Sequence, residues 1–166
     1  MIPEIKKIFH ATDLSENARH SFGYAASLAN SYGAGITMLH VLEDVSAYQG
    51  SLVINVIGEQ KWDELRKNKE QVVLDTIRER LEKFYEDESR EFPSCPFITD
   101  DIIVKIGNPV EEILQEIEAS GCDIVVMGTR GHGIMADAMM GSTSRRVLSR
   151  CKKPVLVVRL PEGEET

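Results

Sequence analysis

Two short runs with no polar residue constrain this chain most: Ile124-Val-Val-Met127 and Val155-Leu-Val-Val158. A strand of that kind has no face to turn toward water, so it belongs in a parallel sheet covered on both sides. Three further runs, Ile5–Ala11, Ile36–Leu42 and Thr99–Ile106, also read as strands, and the two apolar runs extend them to Asp123–Met127 and Pro154–Arg159. Helical patterns separate all five. Ser15 is placed to cap a helix with the stripe Ala18, Phe22, Ala25, Ala26 and Ala29, and Gly33 stops it. From Trp62 a 3.6-residue period puts Trp62, Leu65, Val72, Val73, Ile77, Leu81 and Phe84 on one face, predicting a long amphipathic helix against the sheet. Asn108-Pro109-Val-Glu111 is a third start, with Asn as cap, proline where no N–H is needed, and a glutamate able to bond back. Its stripe is Val110, Ile113, Leu114 and Ile117, ended by Gly121, and a short helical pattern at Ser144–Arg150 precedes the last strand. Parallel neighbours need crossovers, so five strands and four helical segments predict an α/β, doubly wound parallel sheet with helices on both faces.

The 166 residues suit one domain over residues 1–160, with an acidic flexible tail at 161–166. Residues 43–61 lack a period and read as a long surface excursion. A net charge of −8 excludes general binding to nucleic acid or an anionic membrane, which needs a basic face. No apolar run approaches the roughly 20 residues of a membrane span, and Met1-Ile-Pro-Glu has no signal-peptide profile, so a cytoplasmic location is expected. Cys95, Cys122 and Cys151 show no metal-like spacing and read as free thiols.

The chemistry concentrates after the fourth strand, in Gly128-Thr-Arg-Gly131, nine residues, then Gly141-Ser142-Thr143. A strand, a glycine-hinged loop and a helix start with open N–H groups make an anion site, because the helix dipole adds partial positive charge there. This pattern predicts a nucleotide phosphate cradle. It is not a P-loop, which needs a lysine that is missing here. Gly131-His-Gly133-Ile-Met-Ala136 formally matches a dinucleotide fingerprint, but it starts three residues past the strand and lacks the acidic residue that holds a ribose. Each residue also has a plainer reading. Gly128 alone is a turn, Ser142 alone a helix cap, and Asp13 either a cap of the first helix or a ligand group. His10 and His40 read as core or strand-end histidines, His132 as a possible phosphate contact, and Met135, Met139 and Met140 as loop packing. Arg145 and Arg146 read as surface residues of the last helix.

Together with Lys6-Lys-Ile-Phe-His-Ala-Thr-Asp13, His40-Val41, Ile106-Gly107-Asn-Pro109 and Lys153-Pro154-Val-Leu-Val-Val158, the glycine pattern resembles the ATP-binding branch of the universal stress protein family over residues 4 to 160. The resemblance implies strand order 3-2-1-4-5, with the first and fourth strands adjacent. It assigns Asp13 to the adenosine part, the Val41 backbone to adenine, and Gly128, Gly131, Gly141 and Ser142 to the phosphates. Ala11, Thr12, Met127, Arg130 and Thr143 complete the implied ATP contacts. Ala11 stands where many members have proline, which removes no ligand-binding group. The implied cofactor is ATP with Mg2+ or Mn2+. The loop offers no lysine and no evident base, so slow hydrolysis or none is expected, in a nucleotide-dependent stress-response switch with an unknown downstream protein partner. A homodimer through Val155, Leu156, Val157 and Val158 is also implied, since an apolar edge strand invites pairing. The alternatives are a nucleotide-independent stress chaperone or assembly module, a weak ATPase, and a phosphohydrolase or nucleotidyl transferase. The last would need acidic metal ligands besides Asp13.

Overall fold

A computed structural model describes residues 1–43, 58–129 and 140–161. In chain order these form β1 (Lys7–Thr12), α1 (Glu16–Tyr32), β2 (Gly35–Leu42), α2 (Glu59–Glu91), β3 (Ile98–Ile106), α3 (Pro109–Ser120), β4 (Ile124–Gly128), α4 (Ser142–Arg150) and β5 (Val155–Val158). The sheet order is β3-β2-β1-β4-β5, with every neighbouring pair parallel. This is the doubly wound sheet expected. Chain direction across it reverses between β1 and β4, where His10 lies beside Met38 on one side and Val126 on the other.

Alternation along each strand sends successive side chains to opposite faces, and two cores result. Ile8, Ile36, Met38 and Val126 pack with Phe22 and Ala25 of α1 and Ile77, Leu81 and Tyr85 of α2. Phe9, Leu39, Val125 and Met127 pack with Val110, Ile113 and Ile117 of α3 and Val147 of α4. Phe22 anchors the first core, meeting Phe84, Tyr85 and Phe97 edge-on at centroid distances of 5.3, 4.9 and 5.3 Å. His10 is fully buried there, 3.0 Å from Ser21 Oγ, and burial holds its pKa down to about 4. It is a neutral core group, as its strand position predicts. The three cysteines are free thiols, and burial pushes that of Cys122 up.

Three expectations change. The long helix buries Ile77, Leu81 and Tyr85, whereas Leu65, Val72 and Val73 of the predicted stripe are exposed. Its 33 residues reach about 50 Å, while the nine residues of β3 cover about 30 Å, so the helix is longer than the strand it packs on by about 20 Å. Glu111 does not close a capping box. Asn108 Oδ1 accepts from the Val110 and Glu111 N–H groups at 3.1 and 3.2 Å, while the Glu111 carboxylate takes both Arg150 nitrogens at 2.6 and 3.2 Å, tying α3 to α4. The last helix begins at Ser142 instead of Ser144. Of the 43–61 excursion, Glu59–Lys61 are helical and Gly58 stands at the helix start with φ 84°. Residues 44–57 and 162–166 of the predicted excursion and tail lie outside the described residues.

Candidate functional site

Two connections converge at the reversal point, and both are fixed by their own hydrogen bonds. In the turn between β1 and α1, the Leu14 N–H donates to Thr12 Oγ1 at 3.1 Å. The N–H and O–H of Ser15 both donate to Asp13 Oδ1, at 3.0 and 2.5 Å, and Ser15 Oγ accepts from the Ala18 N–H at 3.1 Å as the N-cap of α1. Closing this turn puts Leu14 at φ 66°, a left-handed conformation that costs a leucine about 1 kcal/mol. Asp13 is therefore not the cap of α1. It braces the residue that is.

The second connection leaves β4 at Gly128. A Cβ here would land on the Asn17 side-chain amide, so the glycine admits α1 to the strand end. Sequence reasoning assigns Gly128 to close phosphate approach. The structure gives it a packing task first. Beyond it, the Thr129 N–H donates to Val158 C=O at 2.9 Å, and Thr129 C=O accepts from the Gly141 N–H at 2.7 Å. Buried Ser144 donates its hydroxyl to Gly128 C=O at 2.8 Å. Residues 129 and 141 are thus pinned together at the base of the connection. Gly141 spends its N–H on Thr129, so it presents its Cα instead of a donor.

Helix α4 starts on an uncapped glycine, as α2 does at Gly58, but differs in its first turn. Gly141 occupies the N-cap, no side chain caps it, and the first turn holds no acidic residue. The first intrahelical bond runs from the Arg145 N–H to Gly141 C=O at 3.0 Å, which leaves the N–H groups of Ser142, Thr143 and Ser144 without a backbone partner among the described residues. Among the described residues, the other three helices each carry an acidic residue in their first turn: Glu16, Glu59, and the pair Glu111 and Glu112.

These parts line one cavity of about 860 Å³. It gathers Ala11, Thr12, Asp13, Val41, Met127, Gly128, Gly141, Ser142 and Thr143, nine of the eleven residues singled out by sequence. Arg130 and Gly131, and also His132, Met135 and Met139, lie outside the described residues. The cavity wraps the end of the sheet. Leu39, Val41, Pro109, Ile113 and Met127 make an apolar wall on the α3 side. Thr12, Asp13, His40 and Glu43 bring polar groups, and Ile77 and Arg80 of α2 reach the same cavity. Sequence reading did not connect Leu14, His40, Arg80, Pro109 or Ile113 with the site. Pro109 registers in sequence as a helix start and within a stretch that carries the family resemblance, Ile113 as part of a helix stripe, and Arg80 as part of a charged face. Among the described residues no group of three His, Cys, Asp or Glu side chains could hold a metal ion, and no helix is long and apolar enough to cross a membrane.

The arrangement offers an anion three helix-end amides and two hydroxyls, and offers a flat apolar group a wall beside them. Comparison with known proteins finds relatives over nearly the whole chain. A family model described as the universal stress protein family matches residues 4–159. Universal stress protein MJ0577 of Methanocaldococcus jannaschii is 30% identical over 157 residues, 93% of this chain and 94% of that protein. A universal stress protein of Thermus aquaticus, from the QAH/OAS sulfhydrylase 3′ region, is 31% identical over 93% of this chain and 98% of its own. The solved MJ0577 structure superposes with a TM-score of 0.70, covering 97% of this chain and all of that one at 27% identity. A universal stress protein solved in complex with cAMP shares the fold at a TM-score of 0.54 and 17% identity, over 95% of this chain and 98% of that one.

Proposed function

The chain belongs to the universal stress protein family, and on that premise we propose that it binds ATP in the cavity at the end of β1 and β4, as a nucleotide-dependent switch of the stress response. The observation that carries this reading is the start of α4, a helix N-terminus with neither a cap nor an acidic residue, opening on a cavity of nucleotide size. The triphosphate is placed on the amides of Ser142, Thr143 and Ser144 and on the Ser142 and Thr143 hydroxyls. The base is placed against Leu39, Val41, Pro109 and Ile113, and Asp13 at the sugar edge. Hydrogen bonds to a charged group contribute about 1.5–3 kcal/mol each, and micromolar affinity requires about 8 kcal/mol, so three or four such donors reach that range. Magnesium or manganese enters as the nucleotide's own counter-ion, held on phosphate oxygens, since such ions keep most of their ligands from phosphate and water.

We assign the protein the role of holding ATP, with at most slow hydrolysis. Stabilising a transferring phosphoryl group takes cations aimed at its developing charge, and Arg80 is the one lysine or arginine among the described residues lining the cavity. Isothermal titration with ATP and magnesium tests the binding, with micromolar affinity expected and no heat of binding the contrary result. Turnover on the order of 10 per second would replace the switch with an enzyme.

A second copy of the chain is the proposed partner of β5. The two sheet edges differ: β3 carries Asp100, Asp101 and Lys105, charges that discourage pairing, whereas Val155–Val158 carries none. Two β5 edges paired about a two-fold axis would satisfy both backbones. Sedimentation at micromolar concentration should give a dimer.

A further inference from the structure

We propose that His40 reads the sugar of the bound nucleotide, its Nε2 accepting a hydrogen bond from a ribose hydroxyl. The inference rests on the nucleotide reading of the cavity and makes it more specific. His40 is 7% exposed and lies in register with Thr12 on the neighbouring strand. Its Nδ1 is 2.8 Å from Thr12 C=O. A carbonyl can only accept, so Nδ1 carries the proton, and in the neutral ring Nε2 is left as a lone pair. That lone pair has no partner among the described residues, and the ring borders the cavity. A ligand hydroxyl at that edge of the cavity would give this acceptor a donor. Phosphate oxygens cannot supply that donor, and the proposed pose sets them on the start of α4. The base finds its complement on the apolar wall of Leu39, Val41 and Ile113. What remains beside Thr12, Asp13 and His40 is the sugar, whose vicinal hydroxyls are donors. Asp13 lines the same cavity.

The test compares affinities of wild type and His40→Leu for ATP, 2′-deoxy-ATP, 3′-deoxy-ATP and inosine triphosphate. Wild type should bind one of the two deoxy analogues about tenfold more weakly than ATP, and its preference between ATP and inosine triphosphate should be the same in His40→Leu. His40→Leu should bind ATP and that analogue alike, at the weaker level. In wild type, the ¹⁵N resonance of His40 Nε2 should move on saturation with ATP and not with the discriminated analogue, a readout that does not depend on the variant folding. Equal binding of all sugars to wild type, undiminished sugar discrimination in His40→Leu, or a changed preference between ATP and inosine triphosphate as the only effect of His40→Leu would overturn the assignment while leaving ATP binding intact. Failure of wild type to bind ATP would overturn both readings.

Discussion

Helices α1, α3 and α4 all begin at the carboxyl end of the sheet, yet they begin differently. Ser15 caps α1 and Asn108 caps α3, and both helices carry glutamate in the first turn. Helix α4 has neither device, and its starting residues face the cavity. A cap contributes about 1 kcal/mol of stability, so a helix start without one forgoes stability that its neighbours have. The difference teaches that chain and ligand compete for the same amides. Where the chain supplies its own acceptor, the helix end is a structural part. Where it withholds one, the end can serve a phosphate.

The sharpest way to break this contrast is to give α4 what the others have. Ser142→Asp puts a carboxylate in the first turn, where it occupies the dipole and repels the triphosphate. ATP affinity should fall about a hundredfold in titration calorimetry, a loss of about 2.7 kcal/mol. Next in size, Gly128→Ala should destabilise the fold by about 2 kcal/mol in denaturant melts, because its methyl collides with the Asn17 amide. Adding Asn17→Gly should recover part of that loss, which a glycine needed only for phosphate would not show. Asn108→Ala should cost about 1 kcal/mol of stability and leave ATP affinity unchanged, since the α3 cap bonds only its own helix. The smallest effect belongs again to Ser142→Asp: without nucleotide it should be more stable than wild type by about 0.5 kcal/mol. Opposite signs for affinity and stability in one variant would separate an open helix end from a merely weak one.

Much of the fold is legible in sequence, because strands buried on both faces leave no other reading for runs such as Val155-Leu-Val-Val158. Strand boundaries moved by only one or two residues, as where β1 runs from Lys7 instead of Ile5. The extent of the packing is less legible. Periodicity marks a face of a helix, but nothing in Leu65, Val72 or Val73 says that the sheet ends before reaching them. Within the site, Ser142 and Thr143 stand out because a glycine pattern leads to them. Asn17 does not, since its task depends on a strand more than a hundred residues away. The Asp13–Ser15 brace hides similarly behind two residues that each have a commonplace reading. His40 is the plainest case: its strand position predicts a buried ring, and only the Thr12 carbonyl fixes which nitrogen is left bare.

The pinned base of the connection after β4 has a mechanical consequence. Gly141 N–H on Thr129 C=O and Ser144 Oγ on Gly128 C=O hold the end of the strand and the start of α4 side by side. The two therefore shift as one piece, so a pull on the helix start is passed straight to the middle of the sheet.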